Sequence, residues 1–125
     1  MSEATVNTKR PDGSNRVVIT GMGAITPAGV GVEALWKAVM GRECCIRPIE
    51  RFDTSEYEVH IAGEVRDFDG TEHGLTKKEA RRFERFVQYA IVAADEAMAQ
   101  SGIDMEQEDP TRAAVIFGAG IGGID

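Results

Sequence analysis

The sequence predicts an α/β fold with parallel strands, because strand-like and helix-like segments alternate along it. Two short apolar runs, 16–20 (RVVIT) and 113–117 (AAVIF), are typical of buried strands. Segments 32–41 and 76–101 between them carry apolar residues at helical spacing. This order indicates helices layered on a sheet. Two strands cannot cover the apolar faces of both helices, so we expect the chain to hold the front part of a larger fold.

The first helix is predicted over 32–41. Apolar side chains recur along it at steps of three and four and form one face: Val32, Leu35, Trp36, Val39 and Met40. Gly41 is the expected C-terminal stop. The following residues, 42–75, are predicted to be irregular apart from an edge strand within 58–65 (EVHIAGEV).

The second helix has the clearest start signal in the sequence. Thr76 and Glu79 have the spacing of a capping box, in which each side chain satisfies a backbone N–H that the helix leaves unpaired. Apolar residues then continue at helical spacing: Phe83, Phe86, Val87, Ala90, Ile91, Ala94, Ala97 and Met98. We therefore predict one continuous helix that ends at Gly102.

Composition and charge limit the classes of function. The chain has 125 residues, 42% hydrophobic and 28% charged, which is ordinary for one soluble globular domain. Residues 1–15 are polar, lack the apolar stretch of a secretory signal and are expected to form a flexible tail. No apolar run is long enough to span a bilayer. The net charge of −7 argues against binding to nucleic acid or to anionic membranes.

Glycine spacing suggests a nucleotide site, but the surrounding residues argue against it. Gly118, Gly120 and Gly123 match G-x-G-x-x-G, the phosphate-binding fingerprint of dinucleotide folds. A true fingerprint opens a helix and precedes an acidic ribose ligand by about 20 residues, and the chain ends before either could be seen, so this match alone is weak evidence. Gly21 also follows a predicted strand, as in short-chain reductases, but residues 25–27 (ITP) replace the glycines that a pyrophosphate needs. Close backbone packing is the favoured role of Gly118, Gly120 and Gly123, and residues 25–27 disfavour an NAD(P)-dependent reductase.

Several stretches together carry a family resemblance: RVVITGMGAITPAG, the tryptophan of ALWKAVMG, ERFDTSEY, AGEVRDF, KKEARRFERFVQYAIVAADEAM, SGI and GAGIGG. In order and spacing they resemble the N-terminal part of the elongating β-ketoacyl-acyl carrier protein synthases, the type II condensing enzymes of the thiolase fold. The resemblance implies that residues 16–125 form the N-terminal portion of a thiolase-like, layered αβαβα ketosynthase domain, truncated in this chain.

The resemblance also implies an activity. Such enzymes condense acyl-acyl carrier protein with malonyl-acyl carrier protein, with loss of CO2, in fatty acid elongation. They are expected to be cytoplasmic homodimers without cofactor or metal. The family's cysteine nucleophile lies in a later Thr-Ala-Cys turn and its histidine pair later still, so we expect this chain alone to be inactive. A polyketide ketosynthase and a non-catalytic chain-length factor, which lacks the nucleophile, stay open as alternatives.

Two kinds of site residue follow from the resemblance. Ile121, in the GAGIGG loop, matches a position in the wall of the acyl-chain pocket. Lys78, Arg81 and Arg82 match positions where such enzymes dock their acidic carrier protein. Positive charge at a helix N-terminus opposes the helix dipole, so helix stability alone does not favour these residues. Without the resemblance, a solvated helix face explains them equally well.

The cysteines and histidines do not supply a catalytic centre. Cys44 and Cys45 follow a predicted helix C-terminus, whose dipole disfavours a thiolate. We expect them to be free, buried or half-buried structural thiols in a reducing compartment. His60 and His73 lack metal-ligand spacing and do not match the family's catalytic pair, so surface or loop positions are expected.

Overall fold

The computed structural model describes residues 8–123. Its α-helices are α1 (Val32–Gly41), α2 (Lys77–Arg82) and α3 (Arg85–Ser101). Its strands, of two residues each, are β1 (Ile25–Thr26), β2 (Gly29–Val30), β3 (Arg47–Pro48) and β4 (Ile61–Ala62). Two 3-10 helices complete it, Gly70–His73 and Pro110–Arg112.

Part of the expected flexible tail lies within this region. Residues 1–7 fall outside the described residues, whereas 8–16 form a turn closed by an antiparallel bridge between Lys9 and Asn15. The Arg16 N–H donates to the Thr8 carbonyl across the same turn, at 2.9 Å. The proposed start of the folded domain at residue 16 stays a prediction.

The four strands form two small antiparallel pairs. β1 and β2 make a tight hairpin in which Ile25 lies opposite Val30. β3 pairs with β4, which falls within the predicted edge strand at 58–65. The expected parallel arrangement is not found among residues 8–123.

The predictions of strands at 16–20 and 113–117 are wrong for this structure, where neither run is a strand. Their apolar side chains are largely exposed, Val17 at 80% and Ile116 at 90%. A strand is stabilised by its ladder and by burial of at least one face. Neither run forms a strand ladder with any segment between residues 8 and 123. Their β-branched composition alone therefore does not make them strands.

Helix α1 has the predicted bounds, but its stop differs in detail. Gly41 is the last helical residue rather than the residue beyond it. The left-handed position is taken by Arg42, with φ of 54°. The helix is closed by the N–H of Glu43, which donates to the Ala38 carbonyl at 2.9 Å.

The predicted continuous helix over 77–101 is interrupted, which corrects the sequence-based expectation. Phe83 and Glu84 have extended backbone between α2 and α3. The break leaves the last carbonyls of α2 without helical partners. The side chain of Gln88, in the first turns of α3, donates to two of these carbonyls, at Ala80 and Phe83. The capping box at the start of α2 and the end of α3 at Gly102 are confirmed.

A glycine-containing segment lies directly on the backbone of α3. A Cβ on Gly21 would overlap the carbonyl oxygen of Ala97, and a Cβ on Gly23 would overlap that of Ala93. Only glycine allows this approach, because the neighbouring atoms are helix backbone and cannot move aside. These glycines therefore allow the chain to lie directly on α3. The close packing expected for the closing glycine pattern is not found at Gly118 and Gly120, where a Cβ would meet nothing within 4 Å.

Two polar side chains of α3 also bind this segment through hydrogen bonds to its backbone. The carboxylate of Glu96 accepts from the Ala24 N–H at 2.9 Å and from the Val32 N–H at 2.8 Å. The side-chain oxygen of Gln100 accepts from the Met22 N–H at 2.7 Å. Val32 is the first residue of α1, which has no side-chain cap of its own. Glu96 thus caps α1 from another helix and ties it to α3.

Candidate functional site

The basic surface consists of Lys78, Arg81 and Arg82 on α2, and all three side chains are exposed. None of them forms an ion pair with a carboxylate within residues 8–123. Glu79 lies on the same helix, but its carboxylate is engaged in the capping box. Because α2 ends at Arg82, Arg81 and Arg82 lie in its last turn, where the helix dipole favours positive charge. The expected conflict with the helix dipole is therefore wrong for these two residues, and a solvated helix face stays an alternative.

The capping box fixes the start of the basic helix. The Glu79 carboxylate accepts from the Thr76 N–H at 2.8 Å and from the Thr76 hydroxyl at 2.6 Å. In return, the Thr76 hydroxyl oxygen accepts from the Glu79 N–H at 3.2 Å. The hydrogen bonds from Thr76, first from its hydroxyl and then from its backbone, hold the pKa of Glu79 below its ordinary value. Glu79 is therefore ionised at neutral pH, and its carboxylate accepts hydrogen bonds from Thr76 at the start of the helix.

A groove of about 260 Å³ lies between Lys78 and Arg82; Glu79 also lines it, whereas Arg81 does not. Lys78 and Arg82 form two of its sides, and the half-buried ring of Phe83 contributes apolar surface. Such a surface combines positive charge with a small apolar area. This combination can orient an acidic partner at a low cost in desolvation.

The glycine loop, residues 118–123, borders a larger and more apolar groove of about 650 Å³. One wall is the apolar face of α3, from Phe86 to Ala94, and the other is formed by Val115 and Phe117 together with the loop. Ile121 is 80% exposed and does not line this groove. The structure thus brings the loop beside an apolar groove, while the expected contact of Ile121 with an acyl chain stays a prediction.

The two glycine patterns differ from phosphate sites in this structure. The N–H groups of Met22, Ala24 and Val32, which a phosphate would need, already donate to Gln100 and Glu96. A carboxylate of the chain itself therefore occupies the anion position at the start of α1. No helix lies within the described part of the second pattern, residues 118–123. Neither glycine pattern presents a phosphate cradle.

The cysteines and histidines lie apart from both grooves just described. Cys45 is half-buried as expected, but Cys44 is exposed, so the expectation of burial is wrong for that residue. Cys44 lies in an irregular segment after α1, and its thiol sulfur is 4.0 Å from the Ile46 carbonyl oxygen. His60 is in contact with the Thr54 hydroxyl at 3.2 Å, and the ring of His73 stacks on Phe68. His60 has the exposed loop position that the sequence predicts, whereas that prediction is wrong for His73, which is half-buried at the end of the 3-10 helix Gly70–His73.

Among residues 8–123, no group of three or more histidine, cysteine, aspartate or glutamate side chains is arranged to hold a metal ion. Within the described helices, none is long and apolar enough to cross a membrane.

The sequence-based reasoning missed three polar residues of α3: Gln88, Glu96 and Gln100. Each one anchors the backbone of another segment. A usable signal exists for Gln88, because it is four residues before the buried Val92 and so shares its face of the helix. A polar residue in a buried register normally has a specific hydrogen-bond partner.

The family profile described as Beta-ketoacyl synthase, N-terminal domain, matches residues 14–125. The chain belongs to this family. The membership confirms the expected fold class, the N-terminal portion of a thiolase-like α/β fold, although the structure shows little of its sheet.

Similar proteins agree with the family assignment. The 3-oxoacyl-[acyl-carrier-protein] synthase 2 of Vibrio harveyi is 44% identical over 110 residues, covering 88% of this chain and 26% of its own. The enzyme of that name from Staphylococcus aureus strain COL is 46% identical over 112 residues, covering 90% of this chain and 27% of its own. The chain therefore spans about a quarter of the length of these relatives.

A solved structure gives a likeness in three dimensions. The ishigamide ketosynthase/chain length factor superposes with a TM-score of 0.59 at 33% identity, covering 71% of this chain and 22% of that one. The likeness supports the ketosynthase fold independently of the two synthases.

The capping box predicts a pH dependence that is local to α2. Because hydrogen bonds lower the pKa of Glu79 in the folded state, its contribution to stability is complete above the ordinary value of 4.5. It is lost as the pH falls through the lower, folded value. We expect the amides of residues 77–83 to lose protection against hydrogen exchange in acid before those of α3 do. In Glu79→Gln, whose amide oxygen also accepts hydrogen bonds but does not titrate, this early loss should disappear. An acid response of α2 that is the same in both proteins would contradict the assignment.

Proposed function

We propose that this chain supplies the N-terminal part of a 3-oxoacyl-acyl carrier protein synthase that elongates fatty acids. The observation that carries the proposal is the identity of 44–46% to two enzymes of that name over about nine-tenths of the chain. The glycine-rich segments and α3, which organise the structure, lie within the matched region.

The proposed reaction forms one carbon–carbon bond. An acyl group is transferred from its carrier thioester to an enzyme cysteine, with release of the carrier thiol. Malonyl-carrier protein then loses CO2, and its carbanion attacks the acyl-enzyme carbonyl and expels the cysteine thiolate. The product is a 3-oxoacyl-carrier protein that is two carbons longer than the acyl group. The family's nucleophile and histidine pair match no residue of this chain, so its own residues contribute binding surfaces rather than reacting groups.

The basic surface is the proposed docking site for the acidic carrier protein, loaded with an acyl or a malonyl group. Its support is the exposure of Lys78, Arg81 and Arg82 and the absence of ion pairs to them within the described residues. Because the chain as a whole has a net charge of −7, a local cluster of cations can select one acidic partner without collecting other anions. A cytoplasmic homodimer without cofactor or metal belongs to the same proposal.

A second candidate is a polyketide ketosynthase or its non-catalytic chain-length factor. The likeness to the ishigamide ketosynthase/chain length factor favours it. The higher identity to the two synthases favours the fatty acid enzyme. The residue at the nucleophile position decides between the enzyme and the chain-length factor: cysteine in the first, glutamine in the second.

Ile121 is proposed to limit the depth of the acyl pocket. The support is its place in a glycine loop that borders an apolar groove against α3. Glycines let the backbone approach the site, and the Ile121 side chain, which does not line the groove in this structure, is proposed to enter the acyl pocket of the complete enzyme.

Reversing charge on the basic surface tests the docking proposal. In the ketosynthase that contains this sequence, we expect Lys78→Glu with Arg81→Glu to raise KM for carrier-bound substrates about five- to thirtyfold, because two charged contacts are lost at roughly 0.5–1 kcal/mol each. The effect should shrink as salt is added. Lys37→Glu, an exposed cation on α1, is the matched control and should leave KM unchanged. An unchanged KM in the double variant at low salt would show that the basic surface is only a solvated helix face.

Enlarging Ile121 tests the pocket proposal. Ile121→Phe adds volume beside the acyl chain, and overpacking of this kind typically costs about 1–3 kcal/mol. We expect the rate of acyl transfer to fall steeply for long acyl chains and little for the shortest primers, measured over a series of carrier-bound chain lengths. The short primers serve as the internal control. An unchanged length profile would remove Ile121 from the pocket, and an equal loss at every length would indicate damage to the loop.

A further inference from the structure

Gln88 is the buried polar side chain between the basic helix and the rest of the described structure, with 8% of its surface exposed. Its side-chain nitrogen donates to the Phe83 carbonyl at 2.7 Å and to the Ala80 carbonyl at 3.1 Å. Both N–H groups of the amide are therefore used on the last turn of α2 and the residue after it. Its own backbone N–H donates to the Glu84 carbonyl, which fixes Gln88 within α3.

Helix α2 depends on such contacts, because it has only six residues. Helices of this length are not stable in isolation, since too few hydrogen bonds follow the costly first turn. The capping box at Thr76 holds the start of α2, and the Gln88 amide holds its end. The carbonyls of Ala80 and Phe83 have no other partner of this kind among the described residues.

Gly70 forms the opposite wall of the Gln88 site. A Cβ on Gly70 would lie 2.5 Å from the side-chain oxygen of Gln88 and 3.3 Å from the Leu75 side chain. Gly70 begins the 3-10 helix that precedes α2. The missing side chain leaves room for the amide, so the amide is confined between this 3-10 helix and α2.

We propose that Gln88 is a positioning residue for carrier-protein docking, acting through the backbone of α2 on Lys78, Arg81 and Arg82. This inference rests on the proposed docking function of the basic surface. Gln88 is too buried to touch a partner itself. Because Gln88 fixes the end of α2, the three charges are held in one arrangement before the partner binds. The free-energy cost of ordering the helix is then not charged to binding.

The test compares two glutamines of α3 in the ketosynthase that contains this sequence. Gln88→Leu keeps an apolar side chain of similar size but leaves the Ala80 and Phe83 carbonyls unpaired. Gln100→Leu is the matched control, because it removes a hydrogen bond to Met22 at the other end of the same helix. Gly70→Ala is a milder second variant, which displaces the Gln88 amide without removing it.

Two measurements separate positioning from general stability. We expect Gln88→Leu and Gly70→Ala to increase hydrogen exchange of residues 77–83 and to raise KM for carrier-bound substrates by roughly three- to tenfold, with kcat unchanged. Gln100→Leu should increase exchange near residue 22 and leave KM unchanged. The rise in KM should disappear at high salt, where the charges of the basic surface no longer contribute.

Each outcome bears on one proposal. If charge reversal at Lys78 and Arg81 raises KM but Gln88→Leu and Gly70→Ala do not, Gln88 has no positioning role although the docking site is correct. If Gln100→Leu raises KM as much as Gln88→Leu does, the effect is a general loss of stability and the inference is wrong. If Gln88→Leu does not fold, Gly70→Ala alone decides. If charge reversal itself leaves KM unchanged, the docking proposal fails first.

Discussion

The close approach of residues 21–24 to the backbone of α3 is the constraint on which the described structure depends. Gly21 and Gly23 leave no side chain between the two backbones, so the N–H groups of this segment come within reach of polar side chains of α3. Glu96 then uses one carboxylate for two tasks, fixing the segment and capping α1. A carboxylate at a helix N-terminus is stabilised by the helix dipole, as a bound phosphate would be. The backbone N–H groups after Gly21, which could bind a nucleotide phosphate, therefore bind a carboxylate of the chain itself.

Helix α3 borders both candidate sites and also holds the segment that leads into α1. Its first turns carry Gln88, which reaches back to α2 and the basic surface. Its second half carries Glu96 and Gln100, which hold the segment that leads into α1. The apolar face between these ends forms a wall of the groove beside the glycine loop. The proposed docking surface and the proposed acyl pocket therefore both border the same helix, α3. This arrangement suits the proposed condensing enzyme, which receives its substrate from a docked carrier protein.

Local signals in the sequence predict the elements that depend on local contacts. The Thr76–Glu79 capping box, the bounds of α1 and the end of α3 all rest on residues within a few positions of each other. The break at Phe83 could not be predicted in this way, because apolar spacing continues through it and the amide that satisfies the broken turn is five residues away. The predicted strands fail for a related reason, since a strand needs a partner that composition does not supply. The family resemblance located the basic surface, but the geometry around Ile121 does not follow from its position in a motif.

The most direct measurement of the central claim is hydrogen exchange combined with urea unfolding of Gly23→Ala. A methyl group at this position has only helix backbone to displace, so we expect a loss of more than about 3 kcal/mol and reduced protection over residues 21–33 and α1. Gly41→Ala is the matched control, because a Cβ there meets nothing within 4 Å and alanine favours the helix. It should leave stability unchanged or slightly raised. If Gly23→Ala is as stable as Gly41→Ala, with the same protection over residues 21–33, the segment does not depend on close contact with α3 and the account is contradicted.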